Sequence, residues 1–268
     1  GFSNTLLGYM AGYALTDGDS NVAIGKDALR AVTTTDDNVA IGERAGTAST
    51  GAGNVYIGRL AGGSNTSNNY NTVVGTNALK DTDGAGSSSA FGYGAMQYSS
   101  ADNATGIGQY ALSGATGDKN AALGNSAGAI AKGSTNSVMV GYEAGYHPTG
   151  NYNVWMGYKA GYGVVDSGAA ENVGIGREAL LNITSAEKNV AIGSYAGYDW
   201  TTASESVAIG YGAGSGNTDQ SRSVTIGYLA SNTGVALGNV SIGYQAGKAF
   251  TSTSYENVVI GYNAAYQA

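Results

Sequence analysis

Asn189-Val190-Ala191-Ile192-Gly193-Ser194-Tyr195-Ala196-Gly197 decides how this chain folds, because the same nine positions return along its whole length. The glycine closing each N-V-A-I-G string falls at Gly8, Gly25, Gly42, Gly58, Gly75, Gly92, Gly108, Gly124, Gly141, Gly157, Gly176, Gly193, Gly210, Gly227, Gly243 and Gly261. Successive anchors are 16 to 19 residues apart, and sixteen copies fill all 268 residues. Self-similarity at so short a period signals a repeat architecture. Residues 1–268 therefore read as a single repeat array, not a set of domains.

Each place in the unit has its own chemistry. Three residues before the anchor stands mostly Val (Val22, Val39, Val190, Val207), and one before is always apolar (Ile24, Ile41, Ile192, Ile209). Four before, Asn occurs in eleven copies, Ser in four and Ala104 once. Three after, all sixteen copies carry alanine, Ala28, Ala45, Ala196 and Ala213 among them. Val-x-Ile has a period of two, so both side chains share one face of a short strand and the middle residue takes the other. Glycine after Ile, with Ala-Gly soon following, marks a corner where backbones come close. Spacers such as Thr16-Asp17-Gly18-Asp19-Ser20 read as turns. Gly, Asn, Ser and Thr interrupt every stretch long enough for a helix. The fold expected is all-β: a parallel β-solenoid of about sixteen coils.

Energetics require the coils to stack. Fixing one backbone residue costs roughly 1–2 kcal/mol, whereas burying a Val or Ile returns only about 1.5–3 kcal/mol. A lone coil of 17 or so residues cannot stand, but stacked coils gain nearest-neighbour ladders and continuous Val, Ile and Ala files. At about 4.8 Å per coil, the sixteen would form a rod roughly 75 Å long. An alanine in every copy marks a place where nothing larger than a methyl fits. We expect that crowding where partner chains press around an axis; the alternative is a crowded corner inside each coil.

Composition agrees with a thin core. Val, Leu, Ile and Phe total 46 of 268 residues, too few for an ordinary globular interior, while the net charge is only −7, so self-repulsion does not hold the chain open. There is no cysteine, hence no disulfide framework or thiolate metal site. No apolar run approaches the ~20 residues of a membrane span, so no membrane insertion is expected of this segment. The acidic balance and the lack of a basic patch speak against nucleic acid.

The units Ser206–Gly214, Asn189–Gly197 and Asn239–Gly247 (SVAIGYGAG, NVAIGSYAG and NVSIGYQAG) resemble the head repeats of trimeric autotransporter adhesins of the YadA type. They equally resemble repeats of some bacteriophage tail-fibre proteins. The likeness covers all sixteen units. It implies a homotrimeric, left-handed β-roll outside the cell, on a virion tail fibre or a bacterial surface, meeting a receptor on a host cell or matrix, with glycans among the candidates. The autotransporter head repeat is shorter than the unit here, which places the chain nearer the fibre type. With no initiator Met and no atypical capping unit, we expect a segment of a longer fibre; uncapped edges also allow a self-assembling filament.

Other motifs give way to simpler explanations. Gly124-Asn125-Ser126-Ala127-Gly128 matches a nucleophile elbow, but the repeat already supplies both glycines and the alanine, and the one imidazole, His147, sits beside Pro148 in a spacer. Asp17-Gly18-Asp19 and Asp81-Thr82-Asp83-Gly84 look like openings of calcium loops, yet the latter has Gly92 where an EF-hand needs its twelfth-position carboxylate. Solvated Asx turns explain both. No enzyme activity, cofactor or metal is expected. Four N-x-S/T sequons (Asn65, Asn103, Asn182, Asn239) are unremarkable in so Asn- and Ser-rich a chain.

Tyrosine is the unusual count, at 20. Eight follow the anchor directly, so the run Tyr211, Tyr228, Tyr244, Tyr262 should form a file of stacked rings, a corner cover or a sugar-binding strip. Tyr56 and Trp155, at the usually small place between Val and Ile, and Tyr152, Tyr70 and Tyr255 in spacers, are the expected outward contacts. An ice- or lattice-binding solenoid is the remaining alternative; it would need an outward Thr ladder, and the middle strand position holds Thr only at Thr225.

Overall fold

The computed structural model describes residues 1–64, 68–82, 84–147, 149–164, 167–216, 218–231, 236–248, 250 and 254–266. The chain divides into two compact units, Gly1–Ile130 and Ala131–Ala268. Each is a parallel β-solenoid, and no helix occurs among the described residues.

In the first unit, every N-V-A-I-G string supplies one three-residue strand: β1 (Thr5–Leu7), β2 (Val22–Ile24), β3 (Val39–Ile41), β4 (Val55–Ile57), β5 (Thr72–Val74), β6 (Ser89–Phe91), β7 (Thr105–Ile107) and β8 (Ala121–Leu123). The second holds β9 (Val138–Val140), β10 (Val154–Met156), β11 (Val173–Ile175), β12 (Val190–Ile192), β13 (Val207–Ile209), β14 (Val224–Ile226), β15 (Ala236–Leu237), β16 (Val240–Ile242), β17 (Ser254–Tyr255) and β18 (Val258–Ile260). Pairing is parallel and in repeat register: Val22 lies beside Val39, Ala23 beside Ala40 and Ile24 beside Ile41. β12 and β13 repeat the pattern, while β15 and β17 pair as a small second sheet in spacers.

Stacking explains the anchor glycine. Gly193 has φ +130°, and a Cβ there would lie 2.6 Å from the carbonyl oxygen of Gly210 in the next coil. Gly25, Gly42, Gly58 and Gly210 repeat that contact. Two further corners, two and four residues after the anchor, are left-handed in every copy; Asp27 and Leu29 illustrate them at φ 57° and 47°. A third left-handed residue precedes each Asn position, as Ser20 and Lys188 do at 57° and 59°. Left-handed non-glycine residues are uncommon elsewhere. Here the coil ladder over-determines them.

The asparagines form a buried spine. In the first unit, Asn38 N donates to Asn21 Oδ1 (3.0 Å), Asn54 N to Asn38 Oδ1 (3.0 Å) and Asn71 N to Asn54 Oδ1 (2.9 Å). Asn172, Asn189 and Ser206 continue the scheme in the second. Serine can replace asparagine because its hydroxyl also accepts: Ser223 N donates to Ser206 Oγ at 3.1 Å. A buried amide left without such a partner would cost about 1–3 kcal/mol.

The faces of the strand carry a correction. The Val and Ile files stack as expected, but they lie outside the coil: Ile41 and Ile192 remain 37% exposed and Ile209 36%, and Val22, Val39, Val190 and Val207 are half-buried. The middle residues Ala23, Ala40, Ala191 and Ala208 face inward and are fully buried. Ala28, Ala45, Ala196 and Ala213 are buried in the same interior. The alanine file therefore records crowding inside each coil, not contact with partner chains.

Large side chains enter that interior from the middle of the strand, from the corner four residues after the anchor, and from the spacers, where Val32, Ile183 and Trp200 are fully buried. Tyr56, Met139 and Trp155 occupy the middle strand position, and glycine stands beside each at the place four after the anchor: Gly46 and Gly62 at Tyr56, Gly145 at Met139, and Gly145 and Gly161 at Trp155. A Cβ at Gly62 or Gly161 would lie 2.1 Å from the Tyr56 or Trp155 ring. Where Leu29, Met96, Leu112 or Leu180 fills that place instead, the strand residues above and below are Ala or Gly. Bulk at one place excludes bulk at the other, as close packing demands.

Candidate functional site

Two surfaces stand out on this scaffold. The first is the outward strand face, made of the residues three and one before each anchor. None of the sixteen copies places a charged residue at either position. Ile41, Ile57, Phe91, Ile107 and Leu123 are exposed in the first unit, and Val138, Met156, Ile192 and Ile209 in the second. Parallel in-register pairing turns them into an apolar stripe in each unit that repeats at the coil spacing.

The second surface is the tyrosine corner of the unit Ala131–Ala268. Tyr211, Tyr228, Tyr244 and Tyr262 form the expected file, with ring centroids 5.3, 5.2 and 4.9 Å apart and planes within 13°. Tyr142 stacks on Tyr158 and Tyr146 on Tyr162, each at 5.4 Å. Lys159 Nζ pairs with Glu143 Oε2 at 3.4 Å and lies 5.2 Å from the Tyr162 ring centre, while the Arg177 guanidinium sits 5.2 Å from that of Tyr195. Stacking breaks at Ser194, which stands where the following coils have Tyr. There Tyr211 meets Tyr195 at 5.6 Å and 75°, and Tyr195 meets Tyr198 at 5.7 Å and 54°. A cleft of about 270 Å³ opens between these rings, lined also by Asp199, Gly212, Ser215 and Leu229. Burial, then the nearby carboxylates of Glu178 and Asp199, raise the Tyr198 phenol above its usual range, so it keeps its proton at neutral pH.

The expected surface contacts separate into two groups. Tyr152, Tyr70 and Tyr255 are exposed. Tyr56 and Trp155 are not: they are 0% and 1% exposed, because the residue between Val and Ile points into the coil. The Tyr56 hydroxyl finds its partner inside, at Ser49 Oγ (3.2 Å). The legible signal was the glycine on both sides of each bulky residue.

The remaining motifs are tied into the fold. Ser126 Oγ donates to Asn125 Oδ1 at 2.9 Å, a neutral acceptor that cannot activate a nucleophile. Asp19 accepts from Phe2 N, and its own N–H donates to Asp36 Oδ1 at 2.8 Å. Asp81 pairs with Lys80 at 3.2 Å, whereas Asp83 and Pro148 lie outside the described residues. No group of three or more His, Cys, Asp or Glu that could hold a metal occurs among the described residues. Of the sequon asparagines, Asn239 is buried and its amide donates to Ser254 O at 2.7 Å, and Asn65 lies outside the described residues. No helix among the described residues is long and apolar enough to cross a membrane.

No protein-family model matches this chain, and no curated protein is significantly similar to it.

Proposed function

We propose that this chain is a non-catalytic segment of an extracellular attachment fibre, on a virion or a bacterial surface, and that it assembles as a homotrimer through its outward Val/Ile face. The observation that carries this is the uncharged stripe on the strands. Covering an Ile that is 37% exposed gains about 0.5–1 kcal/mol, in proportion to about 1.5–3 kcal/mol for full burial. One coil cannot meet an association cost of about 4–15 kcal/mol, but eight coils of a unit together reach that order. The natural occupant is a second copy of the chain, because only a partner with the same axial repeat meets every coil alike. Resemblance of the repeat to trimeric fibres sets the number at three. Such a fibre would present each surface feature many times, so weak contacts with a receptor add through effective concentration. Lattice binding finds less support: the middle strand position faces inward, and the outward places carry Thr only at Thr5, Thr72 and Thr105.

Light scattering on the purified chain tests the assembly. Three 26.8 kDa chains give about 80 kDa, and Ile192→Asp with Ile209→Asp should yield a folded monomer. A wild-type chain that stays monomeric at every concentration overturns the proposal.

A further inference from the structure

The cleft between the β12 and β13 coils differs from the rest of the tyrosine corner in ways that suit a ligand. Downstream, each ring stacks on a parallel neighbour, but on its Ser194 side Tyr211 has no parallel ring and meets only Tyr195, edge to face at 5.6 Å and 75°. Gly212 has no side chain to fill the gap, and Leu229 from the next coil reaches over it: a Cβ at Gly212 would lie 2.6 Å from Leu229 Cδ2. The cleft thus has an aromatic wall, an apolar floor and a polar rim.

That rim is specific in its chemistry. Asp199 Oδ1 accepts from Asn182 Nδ2 at 3.0 Å, which orients the carboxylate. Its other oxygen has no hydrogen-bond partner among the described residues. Ser215, Gly216 and the hydroxyl-bearing rings of Tyr195 and Tyr198 complete the lining. Hydroxyl groups of a ligand match a carboxylate acceptor, and C–H faces match exposed rings. No cation lines the cleft, and the adjacent Arg177 is engaged by Glu178 at 3.2 Å. An anionic ligand therefore has no counter-charge here, and the chain's net charge of −7 opposes one further. At about 270 Å³ the space lies near the lower end of ordinary ligand sites.

We propose that this cleft binds a neutral saccharide unit, with its C–H face on Tyr211 and its hydroxyls on Asp199 and Ser215. One chain supplies every group, so the site does not depend on the trimer. Fibre assembly would multiply it.

Saturation-transfer NMR on the full chain, with neutral oligosaccharides of glucose, galactose, mannose and N-acetylglucosamine, tests this directly. At least one should receive transfer, and calorimetry on that sugar should show Tyr211→Ala, Asp199→Asn and Gly212→Asn each weakening binding about tenfold, or 1.4 kcal/mol, or more. Asparagine occupies the Gly212 place in other copies, at Asn77 and Asn263, both left-handed, so Gly212→Asn fills the cleft without changing the backbone. Tyr262→Ala, at the far end of the file, should leave affinity unchanged. Binding by none of the four sugar classes overturns the proposal, as does binding that Tyr211→Ala and Gly212→Asn, both folded by circular dichroism, leave intact. Sugar binding by a chain that light scattering shows to be monomeric would sink the assembly and leave the cleft standing.

Discussion

Replacing Trp155 by alanine separates an inward ring from an outward one. Were the indole a surface contact, Trp155→Ala would change stability by about 0.5 kcal/mol or less. The ring is instead 1% exposed and enclosed by Gly145, Gly161 and Gly174, and truncating a buried Trp costs about 3–5 kcal/mol. Gly161→Leu alone should also destabilise, because its Cβ would start 2.1 Å from the ring; overpacking of that kind costs about 1–3 kcal/mol. Together the two changes recreate the arrangement of Ala23 with Leu29, in which leucine takes the left-handed corner at φ 47° and the strand residue is small. The double variant should therefore be more stable than Trp155→Ala alone, with a coupling energy of about 1–3 kcal/mol. Guanidinium unfolding followed by far-UV circular dichroism supplies the comparison, with Trp200 fluorescence as a second probe of the same unit. A double variant as unstable as the sum of the singles would refute the idea that the two places share one space.

Two further outcomes follow from the spine and from His147. Asn172 Oδ1 accepts from both Asn189 N and Asn189 Nδ2 at 3.0 Å. Asn172→Ala should lower stability by about 1–3 kcal/mol, since buried donors lose their partner; Asn172→Ser should recover part of that, giving denaturation midpoints in the order wild type, Ser, Ala. His147 lies edge-on against Tyr146 and Tyr162 at 4.6 and 5.1 Å, and burial holds its pKa below the ordinary value near 6.5, with Glu143 partly opposing. The unfolded chain then takes the proton first. Stability should be full above about pH 6.5, fall as pH drops toward the folded pKa and level off below it. A thermal-melt series from pH 7.5 to 4.5 reads this as a slope that His147→Gln reduces, and an unchanged slope would count against it.

Much of the fold was legible because a solenoid is local information repeated. The period, the Val-x-Ile strand, the anchor glycine and the tyrosine file all follow from residues at equivalent places in successive coils, and stacking brings equivalent places together. The expected surface role of Tyr56 and Trp155 failed for a definite reason. Alternation shows that two faces of a strand differ, but not which one is inside. Here the apolar pair faces out and the small or bulky middle residue faces in. That choice reverses the usual inference from hydrophobicity.

The sequence by itself determined the repeat, the parallel stacking and the need for many coils, since no single coil buries enough apolar surface to hold its backbone. Only the tertiary structure decided which side of each strand became the interior, where an aromatic ring could be enclosed, and where the tyrosine file parts into a cleft. Those outcomes depend on how glycines, alanines and rings from neighbouring coils share one narrow volume. Volume of that kind exists only after the coils have stacked.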